Sequence, residues 1–322
     1  MPTASSNVGS SAAFSAGANA TSNALVHAID GHTAVYFIVG HPIEQVQAPT
    51  SFNRIFALLG INAVLVPVQV APADLQTFVK SAFAAPNVHG LWVTIPHKAP
   101  MLDALDRISD IARMAGAVNA VRRMANGALE GGLFDGEGFV ASLGYFKIAY
   151  AAKRVLILGA GGAAAAIGAS LALAGAQAPA EIAFFDPSTQ RAAEAAARIA
   201  ASSPVMAWAA ASNDPAGFDV VINASPLGLK SSDPLPCDVA QMGAGAALVD
   251  ILMKNQPTPV VQAARARSLV AEPGFEMMIQ QTHCYLDFFG FTDAARQIRE
   301  DADFLRALIY PTELHGEIRK PA

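Results

Sequence analysis

The residues best suited to chemistry gather around a glycine turn. Gly159-Ala160-Gly161-Gly162-Ala163-Ala164 follows the apolar run Arg154 to Leu158 and opens an uncharged, alanine-rich stretch. A second apolar run, Glu181 to Phe185, ends at Asp186, 22 residues past Ala164. Strand, glycine turn, helix, strand and terminal acid make the pattern of a dinucleotide site. Gly159 permits a tight turn, Gly161 lets the backbone approach a pyrophosphate, and Ala164 keeps the helix close to its strand. The helix N-terminus offers unpaired N–H groups and a positive dipole end to phosphate. Asp186 is placed to accept bonds from the adenosine ribose diol. A glycine turn that merely joins strand to helix is the plainer alternative, and the flanking strands with an acid in register weigh against it.

Around this turn the chain has length for about two domains, with 322 residues. Only 15% of residues are charged and the net charge is −5, so no basic field for nucleic acid exists. Val155 to Ala180 carries no charge, but its glycines and alanines make it too weakly apolar for a membrane span. Met1 to Asn23 is rich in Ser, Ala, Gly and Asn, with neither a basic n-region nor a strongly apolar core. It reads as a disordered extension, not a signal or transit peptide. Two cysteines, Cys237 and Cys284, suggest neither a disulfide framework nor a metal cluster and fit a reducing cytoplasm.

The turn needs elements to hold it. Ala34 to Val39, Ala63 to Val70 and Leu91 to Thr94 read as strands, the last stopped near Pro96. Phe52, Ile55, Phe56 and Leu59 fall on one face of a helix that Gly60 ends. Helices are expected at Ala73 to Ala84, around Ile108 to Met114, and from Gly136 to Phe146 as a link into the dinucleotide unit. Ala117 to Arg123 reads as extended. Further on, a helix runs from Pro187-Ser188 to Ala200, strands at Val220 to Asn223 and Leu248 to Asp250 end in polar residues, and three helices follow Phe275. This alternation predicts an α/β protein with mostly parallel sheet, and the strand ends place Asn223 and Asp250 near the ligand crevice.

Six short motifs in this frame resemble the shikimate dehydrogenase family, over nearly all of His32 to about Leu308. Val93-Thr94-Ile95-Pro96-His97-Lys98 is similar to V-T-x-P-x-K, and Ala115 to Asn119 matches A-G-A-V-N. Asp135-Gly136 stands where the family carries its catalytic acid, and Gly159 to Ala163 matches G-A-G-G-A. Asn223-Ala224-Ser225-Pro226-Leu227-Gly228 resembles N-A-[ST]-P-L-G, and Gly274 to Gln281 resembles the closing G-x-x-M-L-x-x-Q. The resemblance implies an N-terminal α/β substrate-binding domain (residues 31–135, joined by helices at 275–315) and a Rossmann-type NAD(P)-binding domain (136–274), after an extension at 1–30. It implies reversible hydride transfer at a ring carbinol, in the family that serves aromatic amino acid biosynthesis.

Within that resemblance Lys98 and Asp135 form the catalytic pair, and Thr94, Asn119 and Gln281 bind substrate hydroxyls. Gly159, Ala160, Gly161, Gly162, Ala163, Asp186, Asn223 and Ala224 hold the cofactor, and no metal is expected. Taken alone, Lys98 is an ordinary surface lysine and Asp135 a helix cap. Chemistry supports the pair independently, because hydride arriving at a carbonyl leaves charge on oxygen that an oriented ammonium neutralises. His97 is expected to point away from the site. NAD is expected over NADP, because Asp186-Pro187-Ser188 replaces the Asn-Arg-Thr of NADP-using relatives. The expected partner is a small cyclic polyol or hydroxy-acid, with no nucleic acid or membrane; a homodimer is left open.

The chain departs from the family at the substrate's far end. Val46 and Ala48 stand where many members carry two carboxylate-binding serines, Trp92 replaces an Asn, Leu133-Phe134 replaces Asn-Thr, and Met253 replaces a Tyr. Glu276 stands in place of a glycine of the closing motif. The hydride-transfer end is intact while the carboxylate end is apolar, which favours a shikimate-like ring compound over shikimate itself. A non-catalytic dinucleotide sensor is the alternative of a different class, and another two-domain NAD enzyme, such as a methylenetetrahydrofolate dehydrogenase, is the third reading.

Overall fold

The computed structural model describes residues 29–230 and 232–318, so the extension expected at 1–30 lies outside the described residues but for Ile29 and Asp30. Elements run β1 (Ala34–Gly40), α1 (Ala48–Leu58), β2 (Ala63–Gln69), α2 (Leu75–Ala82), β3 (Val88–Val93), β4 (Arg107–Ile108), α3 (Asp110–Ala115), β5 (Ala120–Arg123), β6 (Leu129–Gly132) and α4 (Asp135–Phe146). The second half continues β7 (Arg154–Leu158), α5 (Gly162–Ala172), β8 (Glu181–Phe185), α6 (Thr189–Ala200), β9 (Met206–Ala209), β10 (Val220–Asn223), β11 (Ala247–Asp250), α7 (Pro259–Ala266) and β12 (Val270–Pro273). Three helices, α8 (Phe275–Phe288), α9 (Thr292–Glu300) and α10 (Asp303–Ile309), close the chain.

Two sheets organise two domains. The first has order β2-β1-β3-β5-β6-β4 and is mixed, where a mostly parallel sheet was expected. β1 pairs in parallel with β2 and β3, but β5 is antiparallel to both β3 and β6. For β5 and β6 the cause is local: Gly127 at φ 86° turns the chain between Met124 and Ala128, and a tight turn can join only antiparallel neighbours. The second sheet, β12-β11-β10-β7-β8-β9, pairs in parallel throughout. Its strand order reverses at β7, so the crevice beyond Leu158, between β8 and β10, is where a doubly wound sheet receives its ligand.

α4 joins the domains. A Cβ built on Gly136 would overlap the Ala166 carbonyl of α5, and one on Gly138 would overlap the Met277 carbonyl of α8. Only glycine lets three helices cross at such range. α8 leaves the second sheet at Gly274 and packs its aromatic face on the first. Trp92 of β3 stacks on Tyr285 at 5.3 Å and on Phe289 at 4.2 Å, with Phe52 of α1 edge-on at 5.0 Å. Each such ring removes enough apolar surface from water to contribute about 1.5–3 kcal/mol. Among the described residues, no helix is long and apolar enough to cross a membrane.

Candidate active site

The backbone after β3 bends through Thr94 to Pro96 and leads to Lys98, while α4 begins at Asp135, 37 residues later in the chain. Lys98 Nζ donates to Asp135 Oδ2. Both side chains are largely enclosed, at 17% and 9% exposure, so the pair sits in a wall and not on the surface. His97 turns the other way: it is fully buried and its Nε2 lies 2.8 Å from the Val70 carbonyl.

Lys98 and Asp135 line a cavity of about 120 Å³ with Ile38, Ala48, Ser51, Phe52, Trp92, Val93, Thr94, Met278, Gln281, Thr282, Tyr285 and Ile309. Lys98 is its one cation and Asp135 its one acid, so the lining charges cancel. Ala48 lies on the wall itself, while Val46 and Met253 pack against the aromatic core behind it. Burial, and next the Asp135 carboxylate, push the Tyr285 phenol well above its ordinary value, so it stays protonated.

At and around the cavity three side chains keep unused hydrogen-bonding capacity. Trp92 Nε1, on the wall, is buried without a partner. Asn119 is 1% exposed; its Oδ1 accepts from the Phe134 N–H, while its Nδ2 has no partner. Gln281 Oε1 is buried and without a partner. Leaving such atoms unpaired costs about 1–3 kcal/mol each; Trp92 and Gln281 line the cavity, while Asn119 is not among its lining residues.

The glycine turn lies beside this cavity. A Cβ on Gly162 would stand 3.4 Å from Lys98 Cδ, so α5 begins close beside the lysine. Gly159 sits at φ 107°, and a Cβ there would meet the Ala224 carbonyl at 2.7 Å. By contrast, a Cβ on Gly161 would meet nothing within 4 Å, so the turn opens onto free space. No side chain caps α5 at Gly161, which leaves its first N–H groups for an anion.

Asp186 is 7% exposed and already engaged: Oδ2 accepts from the Ala160 N–H at 3.0 Å, and Oδ1 from the Ser188 N–H at 2.9 Å. Arg191 adds an ion pair at 2.8 Å and remains 61% exposed. The carboxylate thus braces the glycine turn. Asn223 and Asp250 are fully buried at the strand ends. Asn223 Nδ2 donates to Leu227 O and Asp250 Oδ1, and its Oδ1 accepts from Ser225. Its side chain is spent on shaping the turn after β10, which leaves the Ala224 backbone against Gly159.

A family model described as the shikimate dehydrogenase substrate binding domain matches residues 38–121. The shikimate dehydrogenase (NADP(+)) of Rubrobacter xylanophilus is 34% identical over 260 residues, 79% of this chain and 89% of its own. The chain belongs to the shikimate dehydrogenase family. Among solved structures, a ligand-free 5-ketofructose reductase of Gluconobacter sp. strain CHM43 aligns at TM-score 0.73 and 27% identity, over 84% of this chain and 99% of that one. The shikimate 5-dehydrogenase of Listeria monocytogenes, in complex with shikimate and NAD, aligns at TM-score 0.76 and 25% identity, over 89% and 100%. As a shikimate dehydrogenase family member, the chain is an oxidoreductase acting on CH–OH with a nicotinamide dinucleotide, and the open face at Gly161 and uncapped α5 fit that cofactor.

Ser51, Tyr285 and Ile309 were not singled out in the sequence. Ser51 lies one turn past Ala48 on α1, a spacing that could have signalled a shared face.

Proposed function

We propose that this chain interconverts a carbinol and a ketone on a neutral, shikimate-like cyclic polyol, with Lys98 and Asp135 as the catalytic pair. The observation that carries the reading is the cavity lining: one ammonium, already balanced by one carboxylate, with Ala48, Phe52, Trp92 and Ile309 around it. A substrate carboxylate would have no cation of its own, and burying it unpaired is costly. Neutral hydroxyls, each able to donate and accept, suit the unpaired Trp92 Nε1 and Gln281 Oε1 on the cavity wall. The 5-ketofructose reductase among the structural neighbours acts, by its name, on a ketose without a carboxylate, which supports the same class.

The nicotinamide supplies or takes the hydride when bound. In the reducing direction Lys98 Nζ donates to the carbonyl oxygen as negative charge develops and passes it a proton. Asp135 keeps the ammonium aimed. In oxidation the pair withdraws the hydroxyl proton. Thr94, Asn119 and Gln281 orient the neighbouring hydroxyls, and Trp92 and Phe52 exclude water.

NAD is the proposed preference. A 2′-phosphate near the Asp186 carboxylate is repelled, although Arg191, bonded to that carboxylate, offsets part of the charge. Steady-state kinetics over shikimate, quinate, aminoshikimate and carboxylate-free ring polyols, with each dinucleotide, test both points. Neutral polyols are expected to exceed the acids in kcat/KM, and NAD to show a KM at least about tenfold lower than NADP, some 1.4 kcal/mol. A kcat/KM for shikimate above about 10⁴ M⁻¹s⁻¹, ordinary for a native substrate, would overturn the neutral-substrate reading. Equal use of NADP would assign Arg191 to the 2′-phosphate.

A further inference from the structure

Ile309, the last residue of α10, is part of the cavity wall that holds Lys98 and Asp135. Hydrophobic packing alone does not seat this helix. Arg306, 7% exposed, donates to Glu276 from Nη2 at 2.6 Å and from Nε at 3.1 Å, and to Asp303 at 2.7 Å. Its guanidinium lies 4.4 Å from the Tyr145 ring centroid. Glu276 is fully buried on α8 and also accepts from Gln280 at 2.7 Å and Tyr310 at 3.4 Å. Further along, Glu317 makes a two-pronged pair with Arg265 of α7 in the second domain, at 2.9 Å on each arm. Ile309 therefore stands on a strap tied at one end to α8 and at the other to the dinucleotide-binding side.

A buried ion pair is a poor source of stability, because desolvation offsets its attraction. What a guanidinium on a carboxylate provides is orientation. Here the oriented parts are two walls of one cavity: α8, which carries Met278, Gln281, Thr282 and Tyr285, and α10, which carries Ile309. We propose that Ile309 is a specificity-determining residue of this site, and that Glu276 and Arg306 are the positioning residues that seat it. The inference rests on the reading of this cavity as the substrate site.

The test is steady-state kinetics of Ile309→Ala, Ile309→Arg and the double variant Glu276→Leu, Arg306→Met, on shikimate and on the best neutral polyol. Ile309→Arg should raise the acid-to-neutral ratio of kcat/KM by about tenfold or more, through KM, as a charge-assisted bond allows. Ile309→Ala should raise the KM of the preferred substrate several-fold while kcat stays within about twofold, the pattern of lost binding common to ground and transition states. The double variant leaves no lone buried charge; it should raise substrate KM and leave dinucleotide KM unchanged. A folded Ile309→Ala with unaltered KM, or a folded Ile309→Arg with an unaltered ratio, would make the strap a cover only. If Ile309→Arg does not fold, the Ile309→Ala KM decides. The two readings fail separately: a wild type that prefers shikimate sinks the neutral substrate, while the Ile309 variants still report whether the strap reads it.

Discussion

Lys98 and Asp135 show how little a single residue type says until its surroundings are fixed. A lysine is ordinarily solvated, yet this one is mostly enclosed, paired with a carboxylate and close beside the start of α5. If it delivers the proton to the reacting oxygen, Lys98→Ala should lower kcat by about 10²–10⁴. Dinucleotide affinity by fluorescence titration should hold within about twofold. Retention of more than half of wild-type kcat would make Lys98 structural. The opposite corner yields a gain-of-function prediction. Ala48 lines the cavity and Val46 packs against the aromatic core, so Ala48→Ser puts one donor on the wall and Val46→Ser a second in the adjoining segment. Hydrogen bonds to a charged group contribute about 1.5–3 kcal/mol each. The double variant should therefore improve kcat/KM for shikimate by at least about tenfold, and no improvement would place the acid-binding deficit elsewhere.

At the scale of elements, the ends of β10 and β11 are held by buried polar side chains whose protonation matters. Burial pushes the Asp250 carboxyl above the ordinary value of 3.8, against hydrogen bonds from Thr258, the Leu252 N–H and Asn223. The native state therefore keeps its proton to higher pH than the unfolded chain does. The group costs nothing well below that ordinary value and destabilises progressively as pH rises through the native one. Asp250→Asn can keep the geometry: Leu252 and Asn223 both donate to Oδ1, and the Thr258 hydroxyl at Oδ2 can rotate to accept. Thermal melts should show the variant more stable than wild type at pH 8, with the gap closing toward pH 4; a pH-independent gap would point to packing. Elements with strong local patterns were legible in the sequence: β1, α1, β7, the glycine turn and α8 lie where apolar runs and periodicity put them. β6 carries two glycines, β4 has two residues, and Met206 of β9 is 60% exposed, so these strands bury too little to leave an apolar pattern. Lys98 and Asp135 stood out through their motif context, whereas Ile309 and Ser51 did not, because the cavity they share is made by elements remote in sequence.

For the molecule as a whole, the question is what keeps the two domains in register across the cleft. α4 is the answer the packing gives, because it touches α5 through Gly136 and α8 through Gly138. At Gly138 a Cβ would overlap the Met277 carbonyl and lie 2.7 Å from Gln281 Cβ, so even alanine must push α8 away from α4. Overpacking of this kind costs about 1–3 kcal/mol, and the displacement would carry Gln281 with it. Gly138→Ala should thus lower Tm and raise substrate KM together, with dinucleotide KM little changed, since the added Cβ meets Met277 and Gln281 of α8 and not the turn at Gly159. Gly144, at the other end of the same helix, is the internal control, because a Cβ there meets nothing within 4 Å. Gly144→Ala should keep wild-type KM and gain a few tenths to about 1 kcal/mol from the better helix former. If the two substitutions behaved alike, the glycines of α4 would act through chain flexibility, and the close crossing of α4 with α8 would not be what aligns the substrate wall with the cofactor turn.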